Sequence, residues 1–374
     1  MVTEHSYSLE KLDTPSLVVD LEAMEQNLKR MQAFASQHSL ALRPHTKAHK
    51  IPALAAIQVS LGAQGICVAK LGEAEVMLAG GIKDILITTP IANPIKLERL
   101  TNLYLKYPDA RIIQVIDHSD HAITIDHIAA KHGVFVEVLI EAECGQQRCG
   151  VEAGPELLSL IELVNKLPAV KYSGIQAYTG HLQHVRNYQE RVKLARSSVK
   201  PVFDFISNRL TTPELKPEII SGGGSGTYDA YDNIPFTELQ AGSYLFMDWD
   251  YHSIGSSDGT TFYKDFDCAL KVWTTVISRP TPDRAVVDAG MKCLSIDSGM
   301  PHVESHEDIK YQTGGDEHGI LHFSENSQSL NIGDRIMMIP SHCDTTLNQF
   351  DKLYGIRDGM VEKCWVIEGR GRSD

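Results

Sequence analysis

The sequence lacks a long apolar run. None of its hydrophobic stretches approaches the roughly 20 residues that a transmembrane helix needs. The segment 1–7 contains no cationic stretch followed by an apolar one, so the pattern predicts no secretion signal. A cytoplasmic location without a membrane partner is therefore the default expectation.

Positive charge and paired cysteines are also scarce. Lysine and arginine number 35 against 48 aspartates and glutamates, which gives a net charge of −13. A nucleic-acid partner would need a broad basic face, so none is expected. The seven cysteines are odd in number and form no Cys-x-x-Cys pair. This usage is typical of a reduced compartment and argues against a structural zinc site.

The cationic residues that are present concentrate in one octapeptide, Arg-Pro-His-Thr-Lys-Ala-His-Lys, at 43–50. It follows the apolar run 40–42, which reads as a strand. If that strand continues, Arg43, His45 and Lys47 point to one face. A lysine among other cations has a depressed pKa, and its neutral amine forms Schiff bases. A basic surface turn is the alternative interpretation.

Strand-like and helix-like runs alternate over the first two thirds of the chain and predict a (β/α)8 TIM-like barrel. The candidate strands are residues 40–43, 65–68, 85–88, 112–116, 135–140, 174–177, 218–221 and 238–244, after a first strand at 12–20. From about Phe262 onward the pattern is β-rich, with turns rather than helices between the strands. It predicts a second, mostly antiparallel β domain. The expected division is 20–255 for the barrel and 256–374 for the β domain.

Three loops that follow predicted strands carry polar residues suited to chemistry. Residues 143–150 read Glu-Cys-Gly-Gln-Gln-Arg-Cys-Gly, residues 178–184 read Tyr-Thr-Gly-His-Leu-Gln-His, and residues 221–227 read Ser-Gly-Gly-Gly-Ser-Gly-Thr. Glycines at a strand end let backbone N–H groups close on an anion. A surface salt bridge, a solvated histidine and an ordinary turn remain open as alternatives.

Taken in order over about residues 12–350, these motifs resemble the D-threonine aldolase and D-serine dehydratase family. Its members are pyridoxal-phosphate enzymes with an alanine-racemase-like barrel. The resemblance implies that Lys47 binds the cofactor and that Arg148 and Tyr178 lie near it. It also implies that His181 moves the proton of the substrate hydroxyl. Gln147 and Thr179 depart from the asparagine and histidine usual in the family.

The same resemblance assigns the remaining cofactor contacts. The phosphate is expected to be held by Ser221, Gly223, Gly224, Gly242 and Ser243. Gln240 replaces the arginine that alanine racemases bring to the pyridine nitrogen. A neutral partner is expected to leave that nitrogen less protonated and the ring a weaker electron sink.

Ser341-His342-Cys343-Asp344 ends the apolar strand 335–340. In an extended chain His342 and Asp344 face the same way and Cys343 faces the other. The resemblance makes His342 and Asp344 metal ligands, because family aldolases have His-x-Asp where D-serine dehydratases have His-x-Cys. A nitrogen and a carboxylate suit Mn²⁺, or Mg²⁺, better than Zn²⁺.

The family resemblance implies an aldolase that depends on pyridoxal phosphate and a divalent metal. It would cleave D-threonine and other D-β-hydroxy-α-amino acids to glycine and an aldehyde. The alternatives are a D-serine or 3-hydroxy-D-aspartate dehydratase, a 3-hydroxy-D-aspartate aldolase, and more distantly a non-catalytic pyridoxal-phosphate carrier or a metal-only barrel hydrolase. The family fold also implies a homodimer and places residues 1–19 with the β domain.

Overall fold

The computed structural model describes residues 2–324 and 330–374 of the chain. Its helices are α1 (Leu21–Gln37), α2 (Pro52–Ser60), α3 (Leu71–Ala79), α4 (Pro94–Lys106), α5 (Ser119–His132), α6 (Pro155–Val164), α7 (Tyr188–Arg209), α8 (Trp249–His252) and α9 (Cys343–Leu347). Short 3-10 helices cover Leu9–Lys11, Thr46–Ala48, Gly180–Leu182 and Ser243–Leu245. Among the described helices, none is both long and apolar enough to cross a membrane.

In chain order, a first set of strands lies before residue 240 and a second set lies after residue 269. The first runs through β1 (Val2–Ser8), β2 (Ser16–Asp20), β3 (Ala41–Leu42), β4 (Ile66–Val68), β5 (Asp84–Ile87), β6 (Arg111–Ile116), β7 (Val136–Glu141), β8 (Val170–Ala177), β9 (Ile219–Gly222) and β10 (Glu238–Leu239). The second comprises β11 (Leu270–Thr281), β12 (Arg284–Val287), β13 (His302–Val303), β14 (Ile309–Thr313), β15 (Gly319–Phe323), β16 (Arg335–Ile339), β17 (Lys352–Arg357) and β18 (Met360–Val366).

The chain divides into two compact units, each made of separate segments. The barrel unit consists of Met31–Lys47, Leu54–Gly242 and Arg372–Asp374. The β unit consists of Met1–Arg30, Ala48–Ala53 and Ser243–Gly371. These bounds differ from the expected ones at 20 and 255, because residues 20–30, 48–53 and 243–255 belong to the β unit.

In the barrel unit, eight parallel strands pair in the order β3-β10-β9-β8-β7-β6-β5-β4. The ring closes where His45 forms a parallel bridge with Cys67. The N–H of Cys67 donates to the carbonyl of Pro44 at 2.8 Å. The lysine motif therefore forms the seam of the barrel. Apolar strand residues fill the interior, and α2–α7 pack their apolar faces around the outside.

In the β unit, six antiparallel strands form a closed ring, β11-β12-β15-β14-β13-β16, because β16 pairs back with β11. The N-terminal strand β2 extends this sheet through antiparallel pairing with β11 and parallel pairing with β17. Strand β1 pairs with β18. The barrel followed by an antiparallel β domain confirms the fold class predicted from the sequence.

Two predicted strands are shorter than expected. The strand predicted to run on to Lys47 ends at Leu42, and the chain enters a 3-10 turn at Thr46. The strand predicted over 238–244 ends at Leu239. A Cβ atom on Gly242 would lie 2.7 Å from the carbonyl oxygen of His45, so the two loops are in close backbone contact there. The irregular backbone at both places belongs to the carboxyl end of the barrel, where such folds carry their sites.

Candidate functional site

Lys47 lies in the 3-10 turn that follows the barrel seam, with its side chain partly buried. Its backbone N–H donates to Nδ1 of His45 at 3.4 Å. Nε2 of His45 lies 3.1 Å from Oγ1 of Thr88, just beyond the end of β5. The turn is therefore held against the end of β5, and the lysine is placed at the carboxyl end of the barrel.

Arg43 does not contribute to a cationic cluster around the lysine. It is fully buried, and its Nε atom donates to both carboxylate oxygens of Glu238 at 3.0 Å. A second guanidinium nitrogen pairs with Asp84. Burial alone lowers the pKa of Arg43, but the two carboxylates raise it above its ordinary value. The prediction that Arg43, His45 and Lys47 share the face of one strand is wrong, because the strand ends before the lysine.

A line of hydrogen-bonded polar side chains crosses the barrel interior. Oγ of Ser221 donates to Glu238 at 2.6 Å. Nε2 of Gln240 donates to Oγ of Ser221 at 2.8 Å and to Oε1 of Gln176 at 2.9 Å. Nε2 of Gln176 in turn donates to the carbonyl of Thr88 at 3.2 Å. All of these side chains are buried, so strands β8, β9 and β10 are cross-linked beneath the site.

The glycines of the loop after β9 stand at positions with no room for a side chain. A Cβ atom on Gly224 would lie 2.5 Å from Oε1 of Gln183. A Cβ atom on Gly226 would lie 2.1 Å from the backbone carbonyl oxygen of Gln183. Gly223 adopts a φ of +71°, which favours glycine. The glycines therefore allow a close approach to the loop backbone, as a phosphate cradle requires. The N–H of Gly224 donates to Oγ1 of Thr227 at 3.2 Å, and the N–H of Gly226 donates to Oε1 of Gln183 at 3.0 Å. The hydroxyl of Ser221, by contrast, is engaged by Glu238 in the interior.

Arg148 is 52% exposed, and its guanidinium lies 3.7 Å from Glu141 at the end of β7. The same guanidinium is 5.9 Å from the centre of the Tyr178 ring. Burial raises the pKa of Glu141 to about 7, against the opposing effect of Arg148. Gln147, just before the arginine, has a φ of +55°. Asparagine tolerates that left-handed conformation better than glutamine, which is a physical reason for the family's preference at this position.

His181 projects from the 3-10 turn after β8 and is exposed. Partial loss of solvent around the imidazole lowers its pKa, and the nearby carboxylate of Glu143 opposes this shift. A neutral imidazole at neutral pH is able to accept a proton. Thr179, which stands where the family has histidine, is fully buried and its hydroxyl lies 2.7 Å from the hydroxyl of Tyr231. This threonine therefore packs inward.

In the β unit, His342 immediately precedes α9 and Asp344 lies in the first turn of that helix. His342 is extended, as predicted, but the extended conformation predicted for the next two residues is wrong, because the helix begins at Cys343. Nδ1 of His342 lies 2.7 Å from Oδ2 of Asp297. Burial lowers the pKa of His342, but Asp344 and Asp297 raise it above its ordinary value. The position is therefore electrostatically suited to a cation.

The donor set around His342 fits a divalent ion. When a carboxylate holds one imidazole nitrogen, the other is left as a ligand, and this arrangement is usual around bound metals. Cys343 faces away: it is fully buried, and its Sγ lies 2.9 Å from the carbonyl of Met247. Within 2–324 and 330–374 no group of three or more histidine, cysteine, aspartate or glutamate side chains has metal-binding geometry. Two protein ligands would thus leave the remaining positions to water or substrate.

Sequence reasoning missed four residues that support these side chains: Glu141, Gln176, Glu238 and Asp297. A signal was available for the first three, because each is a polar residue within or at the end of an apolar strand. Asp297 lies in a loop of ordinary composition, and its only distinction is spatial. It accepts hydrogen bonds from Ser295 at 2.6 Å and Thr345 at 2.9 Å in addition to its contact with His342.

Two family models match the chain. The alanine racemase N-terminal domain matches residues 19–250, and a putative serine dehydratase domain matches residues 269–356. Together they cover both the barrel strands and the segment that carries His342.

Known proteins are similar over nearly the full length. A D-threonine aldolase from Arthrobacter sp. is 38% identical over 98% of this chain and 94% of its own. A 3-hydroxy-D-aspartate aldolase from Paracoccus denitrificans (strain Pd 1222) is 35% identical over 97% and 93%. The crystal structure of D-threonine aldolase from Filomicrobium marinum superimposes with a TM-score of 0.91 at 36% identity, covering 100% of this chain and 99% of that one. The chain therefore belongs to the D-threonine aldolase family of carbon–carbon lyases, within the alanine-racemase-like (fold III) pyridoxal-phosphate enzymes.

Proposed function

We propose that this protein is a pyridoxal-phosphate and divalent-metal dependent aldolase. It cleaves D-threonine and other D-β-hydroxy-α-amino acids to glycine and an aldehyde. The position of Lys47 carries this proposal, because it puts one partly buried amine at the seam of the barrel and at the carboxyl end of its strands. The similarity to aldolases over almost the whole chain supports it.

The residues that would hold the cofactor fit its chemistry. Lys47 would bind the aldehyde carbon, and the loop backbone at Gly223 and Gly224, together with Gly242 and Ser243, would hold the phosphate. Three of these positions exclude side chains: a Cβ would meet a neighbouring atom at 2.9 Å on Gly223, 2.5 Å on Gly224 and 2.7 Å on Gly242. Ser221 was expected at the phosphate, but its hydroxyl donates to Glu238, so it would support Gln240 instead. Gln240 would face the pyridine nitrogen, and Arg148 and Tyr178 would lie near the cofactor.

The metal would be bound by His342 and Asp344. Mn²⁺ is the preferred candidate and Mg²⁺ the second, because a nitrogen and a carboxylate completed by oxygen ligands suit these ions. A cation there would lower the pKa of a substrate hydroxyl. Asp297 would orient His342 by holding its Nδ1 atom.

The reaction divides between the cofactor and the protein. When bound, pyridoxal phosphate supplies an electron sink for the electron pair released at the substrate α-carbon. The protein's part is to remove the β-hydroxyl proton, and His181 is the candidate base because partial burial lowers its pKa. His181 is exposed, so a proton accepted at its imidazole has a direct route to water.

A second candidate is a 3-hydroxy-D-aspartate aldolase, favoured by the 35% identity to an enzyme of that name. It would use the same side chains and differ in the group that receives the second carboxylate. A D-serine or 3-hydroxy-D-aspartate dehydratase would expel the hydroxyl as water. The carboxylate of Asp344 in place of cysteine favours cleavage over this elimination.

The test uses protein dialysed against chelator and returned to pyridoxal phosphate with or without Mn²⁺. D-threonine, L-threonine and 3-hydroxy-D-aspartate are supplied separately, and acetaldehyde, glyoxylate, glycine, ammonia and 2-oxobutyrate are measured. Metal-dependent acetaldehyde and glycine from the D isomer alone are expected. Ammonia with 2-oxobutyrate would favour the dehydratase, and turnover of 3-hydroxy-D-aspartate alone would favour the second aldolase.

Lys47→Ala should abolish turnover, because no other residue is proposed to bind the cofactor aldehyde. Lys83→Ala is the control, since it removes an exposed lysine just before β5. Near-normal activity of Lys47→Ala would contradict the assignment. The homodimer and the cytoplasmic location are also proposed, and light scattering after size-exclusion chromatography tests the former.

A further inference from the structure

The amide of Gln240 is held in one orientation by groups that are unable to exchange donor and acceptor roles. At one end of the line of polar side chains, Glu238 is ion-paired with Arg43 and acts only as an acceptor. The hydroxyl of Ser221, 2.6 Å away, must therefore donate to it. Its oxygen is then left to accept, so the atom of Gln240 that faces Ser221 at 2.8 Å must be Nε2.

The other end of the line gives the same answer independently. The carbonyl of Thr88 only accepts hydrogen bonds, so the atom of Gln176 that lies 3.2 Å from it is Nε2. Gln176 consequently turns Oε1 toward Gln240 and accepts the second amide hydrogen at 2.9 Å. Both N–H groups of Gln240 are thereby used. The part of its amide that remains for another ligand is Oε1, a pure acceptor.

We infer that Gln240 presents its carbonyl oxygen to the pyridine nitrogen of the cofactor and so keeps that nitrogen protonated. The inference rests on the proposed function, in which Gln240 takes the place of the arginine of alanine racemases. An acceptor favours the protonated form of its partner, whereas a guanidinium only donates and disfavours it. The expectation drawn from the sequence, that a neutral residue leaves the nitrogen less protonated, is reversed.

This orientation suits carbon–carbon cleavage. Breaking the bond between the α- and β-carbons leaves an electron pair on the α-carbon, and a protonated ring withdraws that pair more strongly than a neutral one. Glu238 would act as a positioning residue through Ser221, without touching the cofactor. Gln176 would do the same from β8.

The protonation state can be measured without turnover. The full-length protein is loaded with pyridoxal phosphate labelled with ¹⁵N in the ring, and the nitrogen resonance is followed by solid-state NMR at neutral and mildly alkaline pH. The wild type is expected to give the pyridinium signal throughout. Gln240→Met, which has similar volume but no acceptor, is expected to lower the titration midpoint of the ring nitrogen by at least ~1 pH unit.

Two further variants make the result decisive. Gln240→Glu keeps an acceptor and should retain the pyridinium signal, even if Gln240→Met binds too little cofactor to be measured. Gln114→Met removes a buried glutamine on β6 whose amide donates to two backbone carbonyls, and it should leave the signal unchanged. Bound cofactor with an unprotonated nitrogen in the wild type would overturn the inference alone. Failure of the wild type to bind pyridoxal phosphate would overturn the proposed function as well.

Discussion

At the scale of single residues, the buried carboxylate of Glu141 makes stability depend on pH. Its pKa is raised to about 7 in the folded protein, mainly by burial, with Asp117 adding to the shift and Arg148 opposing it. The folded state therefore binds more protons than the unfolded state between the ordinary glutamate pKa and about 7. Stability should fall as pH rises through that window, by on the order of 3 kcal/mol for this one group.

Glu141→Gln should remove this loss, because the amide carries no charge to desolvate. The free energy of unfolding from urea titration at mildly acidic and mildly alkaline pH gives the comparison. The variant should show a smaller decrease with pH than the wild type. Glu156→Gln, at an exposed position, controls for the change in net charge. An identical pH dependence in wild type and Glu141→Gln would refute this account of Glu141.

Asp297 is the residue that most directly tests the metal site. Asp297→Asn keeps the shape of the side chain but weakens its hold on Nδ1 of His342, so the affinity for Mn²⁺ should fall about 10- to 100-fold. Mn²⁺ titration followed by electron paramagnetic resonance measures this without activity. Asp316→Asn, at an exposed loop position, is the matched control. Unchanged affinity would mean that His342 binds no metal or needs no orientation.

At the scale of elements, one buried arginine ties three strands of the barrel together. Arg43 follows β3, Asp84 begins β5 and Glu238 begins β10. These strands are not consecutive in the chain, and the ion pairs link their ends inside the barrel unit. Arg43, the first residue of the cationic octapeptide 43–50, therefore stabilises the barrel rather than the surroundings of Lys47.

Arg43→Met should destabilise the protein by about 3–5 kcal/mol, because it leaves Glu238 charged and buried without its partner. The double variant Arg43→Met with Glu238→Gln should recover much of this loss, since the uncompensated charge is removed. Denaturant unfolding of the single and double variants gives the coupling energy. A double variant that is as unstable as Arg43→Met would show that packing, rather than charge, dominates at this position.

At the scale of the whole molecule, each compact unit is assembled from segments far apart in the chain. Even the last residues contribute to the barrel unit: Asp374 pairs with Arg99 at 2.8 Å, and its carbonyl accepts from the N–H of Gly72 at 2.9 Å. A ligand that binds only the folded chain therefore stabilises contacts across most of its length. Cofactor binding should be visible in global unfolding.

Pyridoxal phosphate at about 100 times its dissociation constant should stabilise the protein by about 2.7 kcal/mol. The increase should be measurable as a higher melting temperature in scanning calorimetry. Lys47→Ala should lose most of the increase, because covalent attachment is gone, while its melting temperature without cofactor stays near that of the wild type. Equal stabilisation of both proteins would place the attachment at another residue.

The sequence alone determined the features that depend on local pattern. Alternating apolar periods predicted the barrel and the β domain, and both are confirmed, because the side-chain period of a strand or helix is written into neighbouring residues. The position of Lys47 after a strand, and of glycines after another, was readable for the same reason. Family motifs in order predicted the lyase class, which the full-length similarity to aldolases confirms.

Only the tertiary structure decided what each polar group contacts. Arg43 pairs with Glu238, which is 195 positions away in the chain, and His342 contacts Asp297, which is 45 positions away. The sequence predicted Arg43 as a cation near Lys47, yet its charge is neutralised by Glu238 and Asp84. It also left the direction of the Gln240 amide open, because a glutamine's donor and acceptor are assigned by its partners. Such pairings depend on which distant segments the fold brings together, and no local pattern encodes that.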